Sequence, residues 1–193
     1  MIILVTGTPG VGKTQVAKML SSQYSMVYLN VSEFVINNNL FLSYDEEYQS
    51  YIIDEEKTIR ALEEYISHSD KSIIIESIYP SLITKADKVI VLRKNPFKLY
   101  SELKQKGWPE QKVAENVMAE ILGVISQEAR EKFNDKVCEI DVTNLNINKI
   151  LEKINKYECD YNIDWLNLEN IEEFMFSLDK IINGSEEINM SEK

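Results

Sequence analysis

The chain has 193 residues and a formal net charge of −11 at pH 7, which disfavours nonspecific binding to nucleic acid or to an anionic membrane. Its length suits one α/β domain with a sizeable core, with or without a small inserted lid. The acidic surface is typical of a soluble enzyme, and it could also dock on a basic protein. Only one histidine is present, so a His-based catalytic triad and a multi-His zinc site are excluded.

The cysteines and the apolar runs bear on location. Cys138 and Cys159 form neither a disulfide framework nor a metal-ligand spacing, which suits a reducing cytoplasm. The first apolar stretch runs directly into a glycine-rich loop, so no signal peptide is expected. No apolar run approaches the length of a membrane span. We therefore expect a cytoplasmic protein with no membrane partner.

A strand, a glycine-rich loop and a helix follow one another at the N-terminus. Residues 2–5 are apolar and mostly β-branched, which predicts a buried parallel strand, and residues 15–22 place apolar side chains at helical spacing. Between them lies a run with the spacing of a phosphate-binding loop (P-loop), Gly7-Thr8-Pro9-Gly10-Val11-Gly12-Lys13-Thr14. Because pattern, strand and helix agree, we predict nucleotide binding rather than a plain glycine-rich turn.

The residue types of this loop suit ATP. Glycines such as Gly10 and Gly12 let the backbone approach a polyphosphate, and the following helix points its free N–H groups at the anion. We assign the phosphate cradle to the backbone N–H groups from Gly10 through Gln15. Lys13 reaches the β- and γ-phosphates, and the Thr14 hydroxyl can ligate Mg²⁺.

The rest of the chain alternates between predicted strands and helices. Strands are predicted at 26–30, 72–76, 89–93 and 137–141, and helices at 31–37, 55–67, 96–105, 110–133 (in two pieces around Gly123), 147–155 and 163–182. Residues 40–54 are predicted as a long irregular loop. The alternation predicts an α/β three-layer fold with a five-stranded parallel sheet. We expect one domain over residues 1–183 and a disordered acidic tail over 184–193.

Two predicted strands that follow one another in the chain end in a charged residue. Glu76 ends the third strand and Arg93 ends the fourth. The C-terminal ends of parallel strands form the ligand crevice, so both are placed at the edge that carries the P-loop. Glu76 could hold Mg²⁺ or be a solvated strand end. Arg93 could stabilise charge on the transferred phosphate, a common use of arginine, or form a structural ion pair.

Two further stretches are candidates for the site. The break at Lys106-Gly107-Trp108-Pro109 predicts either a mobile lid near 104–114 or a plain helical hairpin, with Lys106 closing on the phosphates or solvated at a turn. Asn146, in the loop after the last strand, is expected to flank the base. Tyr44 and Tyr48 are as well suited to packing their loop as to touching a base.

Several blocks of the chain, in order, resemble one family. The P-loop has the Pro-Gly-x-Gly-Lys form common in adenylate kinases. Over about residues 1–166 the chain resembles the atypical adenylate kinase-like ATPases of small ribosomal subunit maturation, the coilin-interacting nuclear ATPase type. The blocks that carry the resemblance are Tyr44-Asp45-Glu46-Glu47-Tyr48, Val91-Leu92-Arg93-Lys94-Asn95-Pro96, Lys106-Gly107-Trp108, Glu115-Asn116-Val117-x-Ala119-Glu120-Ile121 and Ile163-Asp164-Trp165-Leu166.

The resemblance implies a P-loop NTPase fold of the nucleoside monophosphate kinase kind, with a monophosphate-binding region near residues 30–53 and a lid near 104–114. It implies transfer of the γ-phosphate of Mg-ATP to AMP or another nucleoside monophosphate, together with ATPase activity. It also implies a role in maturation of the 16S-type ribosomal RNA. The implied partners are a basic small-subunit ribosomal protein of the uS11 type and, transiently, the nascent small subunit.

Two positions depart from the family pattern. The family usually carries Asp-x-His where this chain has Glu76-Ser77-Ile78, so Glu76 keeps a carboxylate for Mg²⁺ while Ile78 cannot orient a water. Residues 33–37 lack the arginine that usually clamps the monophosphate, and Lys106 replaces a lid arginine without its fork. These departures favour an alternative, a nucleotide-gated ribosome assembly factor with little kinase activity. A metabolic small-molecule kinase of similar fold is a third possibility.

Overall fold

The computed structural model describes residues 1–46, 48–161 and 163–184. In chain order the strands and α-helices are β1 (Ile2–Thr6), α1 (Lys13–Tyr24), β2 (Val27–Asn30), α2 (Val31–Asn37), β3 (Phe41–Asp45), β4 (Ser50–Ile53), α3 (Glu55–Ser67), β5 (Ile73–Glu76), β6 (Lys88–Arg93), α4 (Pro96–Gln105), α5 (Glu110–Ile121), α6 (Val124–Phe133), β7 (Val137–Asp141), α7 (Ile147–Lys156) and α8 (Ile171–Asn183).

Five of these strands form a parallel sheet in the order β2-β5-β1-β6-β7, which confirms the predicted fold class. The strands are buried on both faces, so successive side chains enter two separate cores. Val5 and Ile74 pack with α1, α4, α5, α7 and α8, whereas Leu4 and Ile75 pack with α2, α3 and α6. The sheet is therefore the middle of three layers, and the loop after central β1 lies at its C-terminal edge.

The stretch predicted as irregular, 40–54, instead contains a hairpin of β3 and β4. The two strands pair antiparallel, with Tyr44 opposite Tyr51. The ring of Tyr51 lies 4.9 Å from that of Tyr44 and 4.5 Å from that of Phe41, centroid to centroid. Cross-strand aromatic pairs of this kind stabilise a short hairpin, and the prediction of a structureless loop was wrong.

The C-terminal third departs from the sequence expectations at two points. Helix α8 begins at Ile171 rather than at residue 163, because Asp164 caps a short 3₁₀ helix, Trp165–Asn167. The two cysteines form a disulfide, Cys138–Cys159, so the expectation that they form no disulfide framework was wrong. The bond is possible because the chain returns along β7 after α7. The backbone N–H of Asp160 donates to the Glu139 carbonyl at 2.8 Å.

Among the described residues, no helix has both the length and the apolar character needed to cross a membrane. Of the predicted acidic tail, 184–193, all but Gly184 lies outside the described residues.

Candidate active site

The loop between β1 and α1 has a backbone that only glycine can adopt at key positions. Gly7, Gly10 and Gly12 have φ of 136°, 96° and 105°. A Cβ at Gly7 would lie 2.4 Å from the Leu92 carbonyl oxygen, and one at Gly10 would lie 2.7 Å from a methyl group of Leu103. The loop is therefore pressed against β6 and α4, with its backbone shaped as the P-loop motif predicts.

Lys13 opens α1 and turns back into the loop. The side chain is only 7% exposed, and its Nζ donates to the Thr8 carbonyl at 3.0 Å. The pKa of Lys13 is lowered to about 8, chiefly by burial and to a smaller extent by the charge of Lys106, while the carboxylates of Glu76 and Glu120 oppose the shift. Because the Thr8 carbonyl is neutral, the Lys13 ammonium can replace it with negatively charged phosphate oxygens when a nucleotide binds.

Thr14 and Glu76 meet at the edge where the sequence placed them. The Thr14 hydroxyl donates to Glu76 Oε1 at 2.6 Å, and Glu76 is 6% exposed. The other carboxylate oxygen, Oε2, accepts from the Tyr28 hydroxyl and from Asn30 Nδ2, the latter at 3.0 Å. Burial, followed by the Glu76 hydrogen bond, raises the pKa of Tyr28 to about 12, so the phenol remains a donor. Glu76 is thus held in place rather than solvated.

No motif in the sequence singles out Tyr28 and Asn30. Both lie on the same face of β2, and Asn30 is the register partner of Glu76 in the neighbouring strand β5. Their relation to the carboxylate follows from the strand order, in which β2 pairs with β5. Side chains two residues apart on a strand point to the same face. Once the strand order is known, this rule places Tyr28 and Asn30 beside Glu76.

The Thr14–Glu76 pair fits a Mg²⁺ ion. A hydroxyl and a carboxylate oxygen that already touch supply two hard oxygen ligands on one side of the P-loop, and Mg²⁺ keeps its other positions for water and phosphate oxygens. The fit agrees with the assignment of both residues to the metal.

All three side-chain nitrogens of Arg93 donate to protein groups. Its Nε donates to Glu120 Oε1 at 2.8 Å, and its two terminal nitrogens donate to Glu139 Oε2 at 3.0 Å and to the Glu120 carbonyl at 2.9 Å. The residue is 4% exposed, and its guanidinium lies 5.8 Å from the Trp165 ring. These contacts contradict the assignment of Arg93 to the transferred phosphate and agree with the alternative, a structural ion pair.

The other candidates lie around the loop. Lys106 is the C-cap residue of α4, with its Nζ 5.6 Å from the Trp108 ring, and its charge contributes to the lowered pKa of Lys13. Gln15 is exposed in the first turn of α1. Asn146 uses its side chain to cap α7, accepting from the Lys149 N–H at 3.0 Å. Contact of Asn146 with a base stays a prediction.

The β3–β4 hairpin and helix α5 are joined by hydrogen bonds. The Tyr48 hydroxyl donates to Glu115 Oε1 at 2.9 Å and accepts from Gln111 Nε2 at 2.8 Å. Lys112 Nζ donates to the Tyr48 carbonyl at 2.7 Å. Since the hairpin lies in the predicted monophosphate region, this region contacts α5 directly, and the observed contacts of Tyr48 are with protein groups.

The chain is similar to known proteins in sequence and in fold. The model of a family described as an AAA domain matches residues 3–123. A Saccharolobus solfataricus protein named "Putative adenylate kinase" is 58% identical over 186 residues, which are 96% of this chain and 98% of the relative. The "Adenylate kinase isoenzyme 6 homolog" of Caenorhabditis elegans is 34% identical over 137 residues, 70% of this chain and 75% of the relative.

Among solved structures, thymidylate kinase from Candida albicans superposes with a TM-score of 0.57 over 81% of this chain and 89% of that chain. At 13% identity this likeness concerns the fold alone. The Saccharolobus relative, in contrast, is similar in sequence over nearly the whole chain. The chain therefore belongs to the AAA-domain family and, within it, to the group of adenylate kinase relatives that includes the Saccharolobus protein.

Proposed function

We propose that the protein is a nucleoside monophosphate kinase that transfers the γ-phosphate of Mg-ATP to AMP or another nucleoside monophosphate. The observation that carries the proposal is the buried Lys13 beside the Thr14–Glu76 pair at one sheet edge. The relatives named as adenylate kinases support the choice of acceptor class.

Phosphoryl transfer needs positioning and charge stabilisation more than covalent chemistry. The backbone N–H groups from Gly10 through Gln15 bind the phosphates, and Lys13 stabilises the charge that develops on the transferred group. Thr14 and Glu76 would hold Mg²⁺, which would supply positive charge to neutralise the phosphate oxygens. Lys106 adds positive charge from the lid, where it contributes without the bidentate geometry of arginine.

The test is phosphoryl transfer from Mg-ATP to AMP, measured beside ATP hydrolysis without acceptor. We expect formation of ADP that depends on AMP, and loss of turnover in Lys13→Ala because the charge on the phosphates is then uncompensated. Lys71→Ala is the matched control, since Lys71 is exposed and its hydrogen bonds to Ser69 use backbone atoms, which the substitution keeps. Wild-type turnover in Lys13→Ala, with its circular dichroism unchanged, contradicts the site assignment.

A second candidate function is supported by two departures from the family pattern. Ile78 stands where a histidine is expected, and α2 (Val31–Asn37) contains no arginine to clamp a monophosphate. Under this alternative the protein is an assembly factor of the small ribosomal subunit that binds ATP in order to time its association with a basic ribosomal protein of the uS11 type. A net charge of −11 favours such a partner. Tight ATP binding with neither transfer nor hydrolysis, and hydrolysis on addition of that partner, would support it.

A further inference from the structure

A buried carboxylate joins the P-loop to two elements outside it. Glu120, in the last turn of α5, is 1% exposed. Its Oε2 accepts a hydrogen bond of 2.5 Å from the Thr8 hydroxyl, 112 residues away in sequence. Its Oε1 accepts from Arg93 Nε at 2.8 Å, from Trp165 Nε1 at 2.9 Å and from the Lys94 N–H at 3.1 Å. A carboxylate buried this deeply is stable only with such donors, so the five groups form one fixed unit.

Thr8 connects this unit to the catalytic lysine. Its side chain meets Glu120, while its carbonyl accepts from Lys13 Nζ at 3.0 Å and from the Val11 N–H at 3.3 Å. Thr8 is itself 1% exposed, so it has little room to shift. The position of Glu120 therefore determines where the peptide that holds Lys13 lies before a nucleotide arrives.

We propose that Glu120 is a positioning residue for phosphoryl transfer, holding Thr8 and through it Lys13 in the geometry that the phosphates require, while Trp165 holds Glu120. The proposal rests on the proposed function. Glu120 itself contacts neither phosphate nor metal in this assignment. The P-loop and Glu120 lie within residues 3–123, which match the AAA-domain family, whereas Trp165 lies beyond them. The C-terminal segment therefore contributes a hydrogen bond to the network that holds the P-loop.

The opposite side of Arg93 offers a matched control. The Ser126 hydroxyl donates to Glu139 Oε1, and Glu139 Oε2 accepts from Arg93 at 3.0 Å. Like Thr8 and Glu120, Ser126 and Glu139 are a buried hydroxyl and carboxylate, and both carboxylates accept from Arg93. It joins α6 to β7 and makes no hydrogen bond to the P-loop within the described part of the chain. Removing the Ser126 hydroxyl disturbs the network without touching Thr8.

The experiment compares Thr8→Val with Ser126→Ala. Both variants remove one hydroxyl donor from a buried carboxylate, and we expect both to lower the melting temperature. In Thr8→Val we expect the affinity for a non-hydrolysable Mg-ATP analogue to fall about tenfold, the equivalent of one hydrogen bond to a charged group. Amide exchange at Val11 should accelerate because its acceptor, the Thr8 carbonyl, is no longer fixed. In Ser126→Ala the analogue affinity and the amide exchange rate of Val11 should match those of the wild type at temperatures well below melting.

An equal loss of affinity in the two variants, or no loss in either, overturns the proposal, because the network then acts only on stability. If Thr8→Val does not fold, Trp165→Phe replaces it, since it deletes one donor to Glu120 and keeps a ring. We expect Trp165→Phe to weaken analogue binding about threefold, because the indole is one of several donors to the Glu120 carboxylate. Unchanged binding there overturns the proposal as well. Neither readout needs AMP, so a protein that binds the analogue but phosphorylates no monophosphate refutes the proposed function and leaves this test intact.

Discussion

The pKa of Lys13 provides a test of the ATP site that needs no acceptor. Burial removes water from the ammonium and lowers its pKa to about 8, with Lys106 adding to the shift and Glu76 and Glu120 opposing it. A lysine with a lowered pKa loses its proton as the pH rises. If the protonated form is the one that binds phosphate, raising the pH from 7 to 9 must weaken ATP binding.

The size of the effect follows from the titration. With a pKa of about 8, the protonated fraction falls from roughly nine tenths at pH 7 to roughly one tenth at pH 9. Affinity of the nucleotide-free protein for Mg-ATP should therefore fall about tenfold over these two pH units. A lysine at its ordinary pKa of about 10.4 would give almost no change over the same range.

Calorimetric titration with a non-hydrolysable Mg-ATP analogue at both pH values measures this difference. Lys13→Arg is the control, because a guanidinium stays protonated throughout and its binding should be nearly independent of pH, even if weaker overall. A tenfold fall in Lys13→Arg as well would assign the titration to another group. A flat wild-type profile would show that Lys13 is not desolvated as the structure indicates.

Three further predictions concern the surroundings of the loop. Tyr28→Phe removes a donor to Glu76 and should raise the Mg²⁺ concentration needed for half-maximal analogue binding severalfold, whereas Tyr24→Phe, whose hydroxyl bonds an exposed asparagine, should leave it unchanged. Gly10→Ala meets two leucines of α4 within 3.0 Å and should destabilise the fold more than Gly12→Ala, whose added methyl meets nothing within 4 Å; chemical denaturation ranks the two. Reducing the disulfide, which closes a sequence separation of 21, should lower the free energy of unfolding by about 3 kcal/mol, measured by thermal unfolding with and without reductant.

Some of the candidate site could be predicted because it is local. The P-loop spans eight consecutive residues whose spacing is dictated by phosphate geometry, and its strand and helix adjoin it in sequence. The meeting of Thr14 and Glu76 also follows from a general rule, since parallel strands end at one edge of the sheet. Neither inference required knowledge of which helix packs where.

What could not be predicted depends on pairings distant in sequence. Arg93 was correctly placed at the sheet edge, but its role was decided by Glu120 on α5 and Glu139 on β7, which take its donors. The disulfide required knowing that the chain returns along β7 after α7, a path fixed by backbone hydrogen bonds rather than by cysteine spacing. Both outcomes were set by tertiary contacts that no local pattern encodes.

Helix α5 has an unusual place in this arrangement because both of its ends are held. Near its N-terminus, Gln111, Lys112 and Glu115 hydrogen-bond to Tyr48 of the hairpin, and near its C-terminus Glu120 bonds to the P-loop. The helix is only 12 residues long and moves as a rigid rod, so a displacement of one end is expected to displace the other. We therefore expect a movement of the hairpin to be coupled to the arrangement of the P-loop. A kinase needs this coupling in order to exclude water before transfer, and a nucleotide-gated factor needs it in order to report ATP binding at its surface. The same contacts serve both functions, and AMP-dependent formation of ADP is the observation that separates them.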